Sequence, residues 1–268
     1  MTDDFSKDML PRPGEAIDPR ELARRDLQKN LPKRFYAQAG VEADGALFAL
    51  ALDGRRARTP ARNPLTVHSA ALAQALAEEW NTQREVIDPA TMPLTRLVHS
   101  ALDGVAREMD AVAADAAKYA GSDLLCYRAG DPASLVAEQA AAWDPVLDWM
   151  RAAHGARFVL AEGVMFAAQG EEALAAVRRL LDDLVRAGDG ADTGAAMRLA
   201  SLHVMTTLTG SVLLALAVAA GFMDKDAAWA AAHVDEDFQM RAWGEDAEAM
   251  ARRARRYEDM RAAALVWE

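Results

Sequence analysis

His99 and Asp103 stand four residues apart, the spacing at which a carboxylate on one helical turn can order an imidazole on the next for acid–base work. The plain reading of the pair is an ordinary surface contact. Asp235-Glu236-Asp237 sets three carboxylates in succession, with His233 two residues before them. Successive helical side chains diverge by about 100°, so the three acids cannot all meet one local cation, and a metal would need further ligands. They read either as a solvated acidic turn or as a docking site for Lys or Arg of a partner. Cys126 lies in Leu124-Leu125-Cys126-Tyr127, an apolar setting that marks an inert buried thiol. His203, just ahead of an apolar run, reads as a satisfied buried side chain rather than a ligand. Gly40, Gly45 and Gly54 fall at turns and no Gly-Lys-Ser or Gly-Lys-Thr follows them, so the sequence offers no phosphate loop. These residues imply no catalysis, no metal and no cofactor. The alternative is a small-molecule enzyme with a pocket at a domain junction, using His99 with Asp103 or an acid from 235–237.

The chain that must position these groups has 268 residues, 52% of them hydrophobic, enough for a sizeable core. Its net charge of −11 argues against nucleic acid, which needs a concentrated positive surface. One cysteine excludes an internal disulfide. The acidic start Met1-Thr2-Asp3-Asp4-Phe5 has neither the apolar core of a signal peptide nor the arginines of a transit peptide. Val204 to Phe222 is uncharged and near the length of a membrane span. However, it holds Thr206, Thr207, Thr209, Gly210 and Ser211 together, and its flanks give no positive bias. The expectation is therefore a long buried helix ending near Gly221, with no stable membrane insertion.

Residues 1–30, with Pro11, Pro13 and many charges, read as an extended arm. Phe35 to Val41, Ala46 to Leu52 and Arg55 to Thr59 are short runs separated by Asp44-Gly45 and Asp53-Gly54, strong hairpin signals because both turn positions want positive φ. Leu65-Thr66-Val67 can add a fourth strand. Arg55, Arg56 and Arg58 read as a charged edge that discourages aggregation. Ser69 caps a helix with the stripe Leu72, Leu76, Trp80. From Pro93 the pattern is helical, with faces Leu94, Leu97, Val98, Ala101, Leu102, Val105 and then Leu174, Val177, Leu181, Leu184. Asp131-Pro132 supplies a cap and first-turn proline for a helix that Pro145 kinks or restarts, with Asp144 as the new cap. The expected class is α+β: after the arm, a small antiparallel β-rich domain with one helix over 31–90, then an all-helical domain over 91–268.

Three tracts have distinctive wording. Glu78-Glu79-Trp80-Asn81-Thr82-Gln83 is followed by Ile87-Asp88-Pro89 and Met92-Pro93-Leu94-Thr95. Ser122-Asp123-Leu124-Leu125-Cys126-Tyr127-Arg128 leads to Gln139 and to Trp143-Asp144-Pro145-Val146-Leu147-Asp148-Trp149. Asp235-Glu236-Asp237-Phe238-Gln239 runs into Trp243-Gly244. In this order, from about Lys33 to about Asp246, the chain resembles the family of F1-ATPase assembly chaperones that attend the alpha subunit of ATP synthase. The resemblance implies a non-enzymatic chaperone that binds the unassembled alpha subunit and shields its interface until beta subunits join. It implies a cytoplasmic protein, with relatives in the mitochondrial matrix of eukaryotes. The expected partner-binding residues are Asp235, Glu236, Asp237, Gln239 and Trp243, with Trp80 and Gln83, on a chain that works as a monomer.

Overall fold

The computed structural model describes residues 31–163, 165–187 and 192–268, so the expected arm lies outside the described residues. The first sheet is set by its turns. Asp53 and Gly54 both take positive φ (49° and 75°), as their types predict. The earlier turn differs: its central residues are Gly45 and Ala46, and only Gly45 is left-handed (φ 64°), with Asp44 closing the strand. Around these turns run β1 (Ala39–Asp44) and β2 (Leu47–Leu52), antiparallel from Ala39↔Leu52 to Asp44↔Leu47. The opposite edge of β2 carries β3 (Arg55–Arg56) and β4 (Thr66–Val67). The run from Phe35 joins the ladder only at Ala39, because the amides of Ala37 and Gln38 are taken by the Asp53 carboxylate. Arg56 meets Glu42 and Asp44 on the exposed edge, a local use of the expected basic face.

Helix α1 (Ala70–Thr82) begins where Ser69 accepts the Leu72 amide, and it lays Leu72, Leu76 and Trp80 against the sheet. α2 (Pro93–Asp103) buries Leu94, Leu97, Val98 and Ala101, and the expected Val105 falls in a separate 3-10 turn beyond its end. α3 (Met109–Lys118) packs against the later helix Asp192–Thr209. A two-residue parallel pair, β5 (Tyr127–Arg128) with β6 (Ala161–Glu162), was not foreseen. α4 (Ala133–His154) starts with Pro132, rather than Asp131, at its cap position and runs through Pro145 without a restart. Asp144, expected to recap it, instead binds Arg128 at 2.7 Å. α5 (Glu171–Arg186) buries Val177 and Leu181, with Leu174 and Leu184 packed beside them.

The expected long apolar helix is two helices, α6 (Asp192–Thr209) and α7 (Val212–Ala219). Gly210 is left-handed (φ 69°) and breaks the run, and the Ser211 hydroxyl then caps α7 through the Leu214 amide. Thr206 and Thr209 donate to carbonyls four residues back, so their hydroxyls are satisfied inside the core, while Thr207 is exposed. Seven of the eight α7 residues are buried. Among the described residues no helix is long and apolar enough to cross a membrane. α8 (Lys225–Ala232), α9 (Val234–Trp243) and α10 (Ala247–Ala264) complete an α+β fold whose buried apolar residues form one continuous cluster.

Candidate functional site

The three distinctive tracts are best read by where each polar side chain ends. In the first, Glu79 reaches from α1 to accept the amides of Leu94 and Thr95 (2.9 and 2.7 Å) and the Thr95 hydroxyl, closing the open end of α2. Burial pushes the Glu79 carboxyl above its ordinary pKa against the pull of these donors. Trp80, 9% exposed, donates its indole N–H to Thr95 Oγ1 at 3.0 Å. Gln83 is buried, accepting from the Asp88 amide and donating to Thr91 Oγ1. Trp80 and Gln83 therefore offer no surface to a partner. They fix the turn between α1 and α2.

The second tract is also internal. Asp123 is fully buried and accepts the amides of Leu125 and Leu213, joining the 3-10 turn Leu124–Cys126 to the start of α7. Burial raises its pKa to about 6 despite hydrogen bonds from Ser211, Leu125, Leu213 and Val212. The same burial, with the Asp123 charge, pushes the Cys126 thiol up to about 12, an unreactive thiol. Trp143 is buried and donates to the Ala231 carbonyl at 2.7 Å, while Arg128 lies over its ring at 5.1 Å.

The third tract divides by helical direction. Asp235 turns inward to accept from Gln139 Nε2 on α4 at 2.7 Å. Asp237 turns to α10 and pairs with both terminal nitrogens of Arg253. Glu236, Gln239, Met240 and Trp243 are left on one outward stripe at i, i+3, i+4 and i+7, about 10 Å long. Glu236 and Gln239 are exposed and make no hydrogen bond or ion pair among the described residues. Trp243 is 83% exposed, a large apolar surface held in water. Beside the stripe a cleft of about 420 Å³ separates α9 from α10, lined across from Glu236 by Arg252 and Arg256. His233 lies at its base, donating to the Trp229 carbonyl, and burial holds its pKa below the ordinary value. Met240 and the α10 arginines were not anticipated here. The Met240 signal was its place in the i, i+3, i+4, i+7 pattern, whereas the arginines come from a separate helix.

His99 and Asp103 of the enzyme alternative sense each other's charge along α2, but the hydrogen bonds of Asp103 go elsewhere. Asp103 accepts from Thr59, from the Ala61 amide and from Asn63, which outweigh burial and hold its carboxyl below the ordinary range. His99 is half-buried with Nε2 unpartnered among the described residues, and burial keeps it neutral to lower pH. A cavity of about 830 Å³ opens between α2, α3, α6 and α10 and includes neither residue, nor any of 235–237. At its rim His203 meets Asp115 at 3.1 Å, satisfied as expected but partly exposed rather than buried. No cluster of three or more metal-type ligands occurs among the described residues.

Residues 33–151 match the family model described as ATP12 chaperone protein. A candidate chaperone from Agrobacterium tumefaciens shares 48% identity and superposes with a TM-score of 0.81 over 94% of this chain and 91% of that one. Atp12 from Paracoccus denitrificans is 41% identical, with a TM-score of 0.76 over 88% of this chain and 97% of that one. A point mutant of the Paracoccus protein matches equally, at 40% identity and a TM-score of 0.76, over 88% of this chain and 97% of that one. The chain belongs to the ATP12 chaperone family.

Proposed function

We propose that this protein is an assembly chaperone of ATP synthase that binds the unassembled alpha subunit of the F1 head and shields its interface until beta subunits join. Family membership supports the assembly role. The observation that carries the docking assignment is the outward face of α9, where Glu236, Gln239 and Trp243 stand together with Trp243 83% exposed. An interface between obligate partners is large and apolar, and an uncovered one aggregates. A cover that must later be displaced suits an aromatic anchor flanked by charge. The tryptophan supplies contact energy, and the carboxylate speeds encounter with basic groups more than it slows release. In this reading the protein acts in the cytoplasm as a monomer, and 31–90 and 91–268 are its two domains, held together by the Glu79–Trp80–Gln83 clamp.

The test is titration of purified alpha subunit, free of beta, against wild-type and variant chains. Trp243→Ala removes the anchor and should weaken binding by about 2 kcal/mol, roughly thirtyfold. Glu236→Lys should slow association and lessen its salt dependence. If both variants bind as wild type does at moderate salt, the docking surface lies elsewhere.

A further inference from the structure

Resting on that reading, we propose that Asp235 and Asp237 are positioning residues rather than client contacts: they bolt α9 between α4 and α10 so that the Glu236–Gln239–Trp243 face is presented rigidly. α9 has ten residues and buries none of them. A free helix of that length is marginal in water, and the usual source of helix stability, a buried apolar face, is missing. Only Val234, at its first position, packs against the core cluster. Polar ties must hold the rest. Gln139 is 2% exposed, and its carbonyl is fixed by the Ala129 amide at 2.8 Å, which leaves its amino group aimed at Asp235. Glu138, one residue earlier on α4, reaches Arg241 two turns further along α9. On the other flank Arg253, its side chain 17% exposed, holds Asp237 with two nitrogens. The two acids thus grip α9 at its first turn from opposite sides. A tryptophan on a pre-ordered helix binds with less loss of freedom than one on a frayed segment.

Two readouts separate positioning from contact: amide hydrogen exchange across 234–243, and affinity for purified alpha subunit. Asp237→Arg should raise exchange in α9 severalfold and weaken binding about tenfold, with the far-ultraviolet helix signal retained. The exchanged pair, Asp237→Arg with Arg253→Asp, should restore both. Asp235→Ala should loosen the helix in the same way, and Asp235→Asn, which keeps an acceptor for Gln139, should recover most of the loss. An exchanged pair that restores amide protection but binds as weakly as Asp237→Arg makes Asp237 a direct contact and overturns the proposal. Unchanged exchange in Asp237→Arg overturns it as well. Trp243→Ala is measured alongside: if it leaves affinity unaltered, the docking surface fails, while the exchange data still decide whether the two acids lock α9.

Discussion

Glu79, Trp80 and Gln83 show how a run of unusual residues can be structural in detail. Each sends its polar atoms to the chain between Asp88 and Thr95, and the Tyr36 hydroxyl adds a hydrogen bond to the Trp80 carbonyl at 2.7 Å. Trp80→Ala would empty a large core volume and leave the Thr95 hydroxyl without its indole donor. It should cost about 3–5 kcal/mol in urea unfolding. Asp123 supplies a pH signature. Its folded pKa, about 6, lies above the ordinary 3.8, so the unfolded chain ionises first. The contribution of this carboxyl to stability is therefore complete below 3.8 and is lost as pH rises through 6. Wild type should lose stability relative to Asp123→Asn from about pH 4 to about pH 7, measured by urea midpoints at each pH. A difference constant across that interval would contradict the burial argument. Residue types were legible from the chain, but their directions were not. Gln139 and Asp235 are far apart in sequence, and nothing in the local spacing of either announces the other.

Elements were legible where one period governs one buried face. The Asp53-Gly54 hairpin, the α1 stripe and the α5 face all followed from turn chemistry or 3.6-residue spacing. Where a residue served two demands the reading failed. Gly210-Ser211 looked like polar interruption within one helix, yet it ends α6 and caps α7, because burial on all sides hides any periodicity that would mark two separate helices. Pro145 looked like a restart, whereas α4 continues through it and Asp144 is drawn off by Arg128. α3 was missed although Met109, Val112, Ala113 and Ala116 keep helical spacing, since alanine gives a weak apolar signal. Gly210→Ala places a side chain at φ 69°, where no neighbour lies within 4 Å of the new Cβ, so the cost is backbone strain alone. About 1 kcal/mol of stability should be lost in urea unfolding, and the helix content should stay the same.

At the scale of the molecule the distinctive tracts share one logic. Two of them knit α1, α2, α4, α7 and α8 into a single core, and the third braces α9 and turns its remaining face outward. The α+β class was legible because hairpin signals occupy the first third and helical periods the rest. The candidate surface was half legible: Glu236, Gln239 and Trp243 stand on it, whereas Trp80 and Gln83 lie inside and Asp235 and Asp237 face neighbouring helices. A partner surface is defined by what is left unpaired, and pairing is visible only once the helices are assembled. The central claim is the client. Tagged protein drawn from the source cell lysate, with its bound chain identified, tests it most directly. Capture of the ATP synthase alpha subunit without beta, lost in Trp243→Ala, is the predicted result. Capture of intact ATP synthase, or of no alpha subunit at all, would contradict the account.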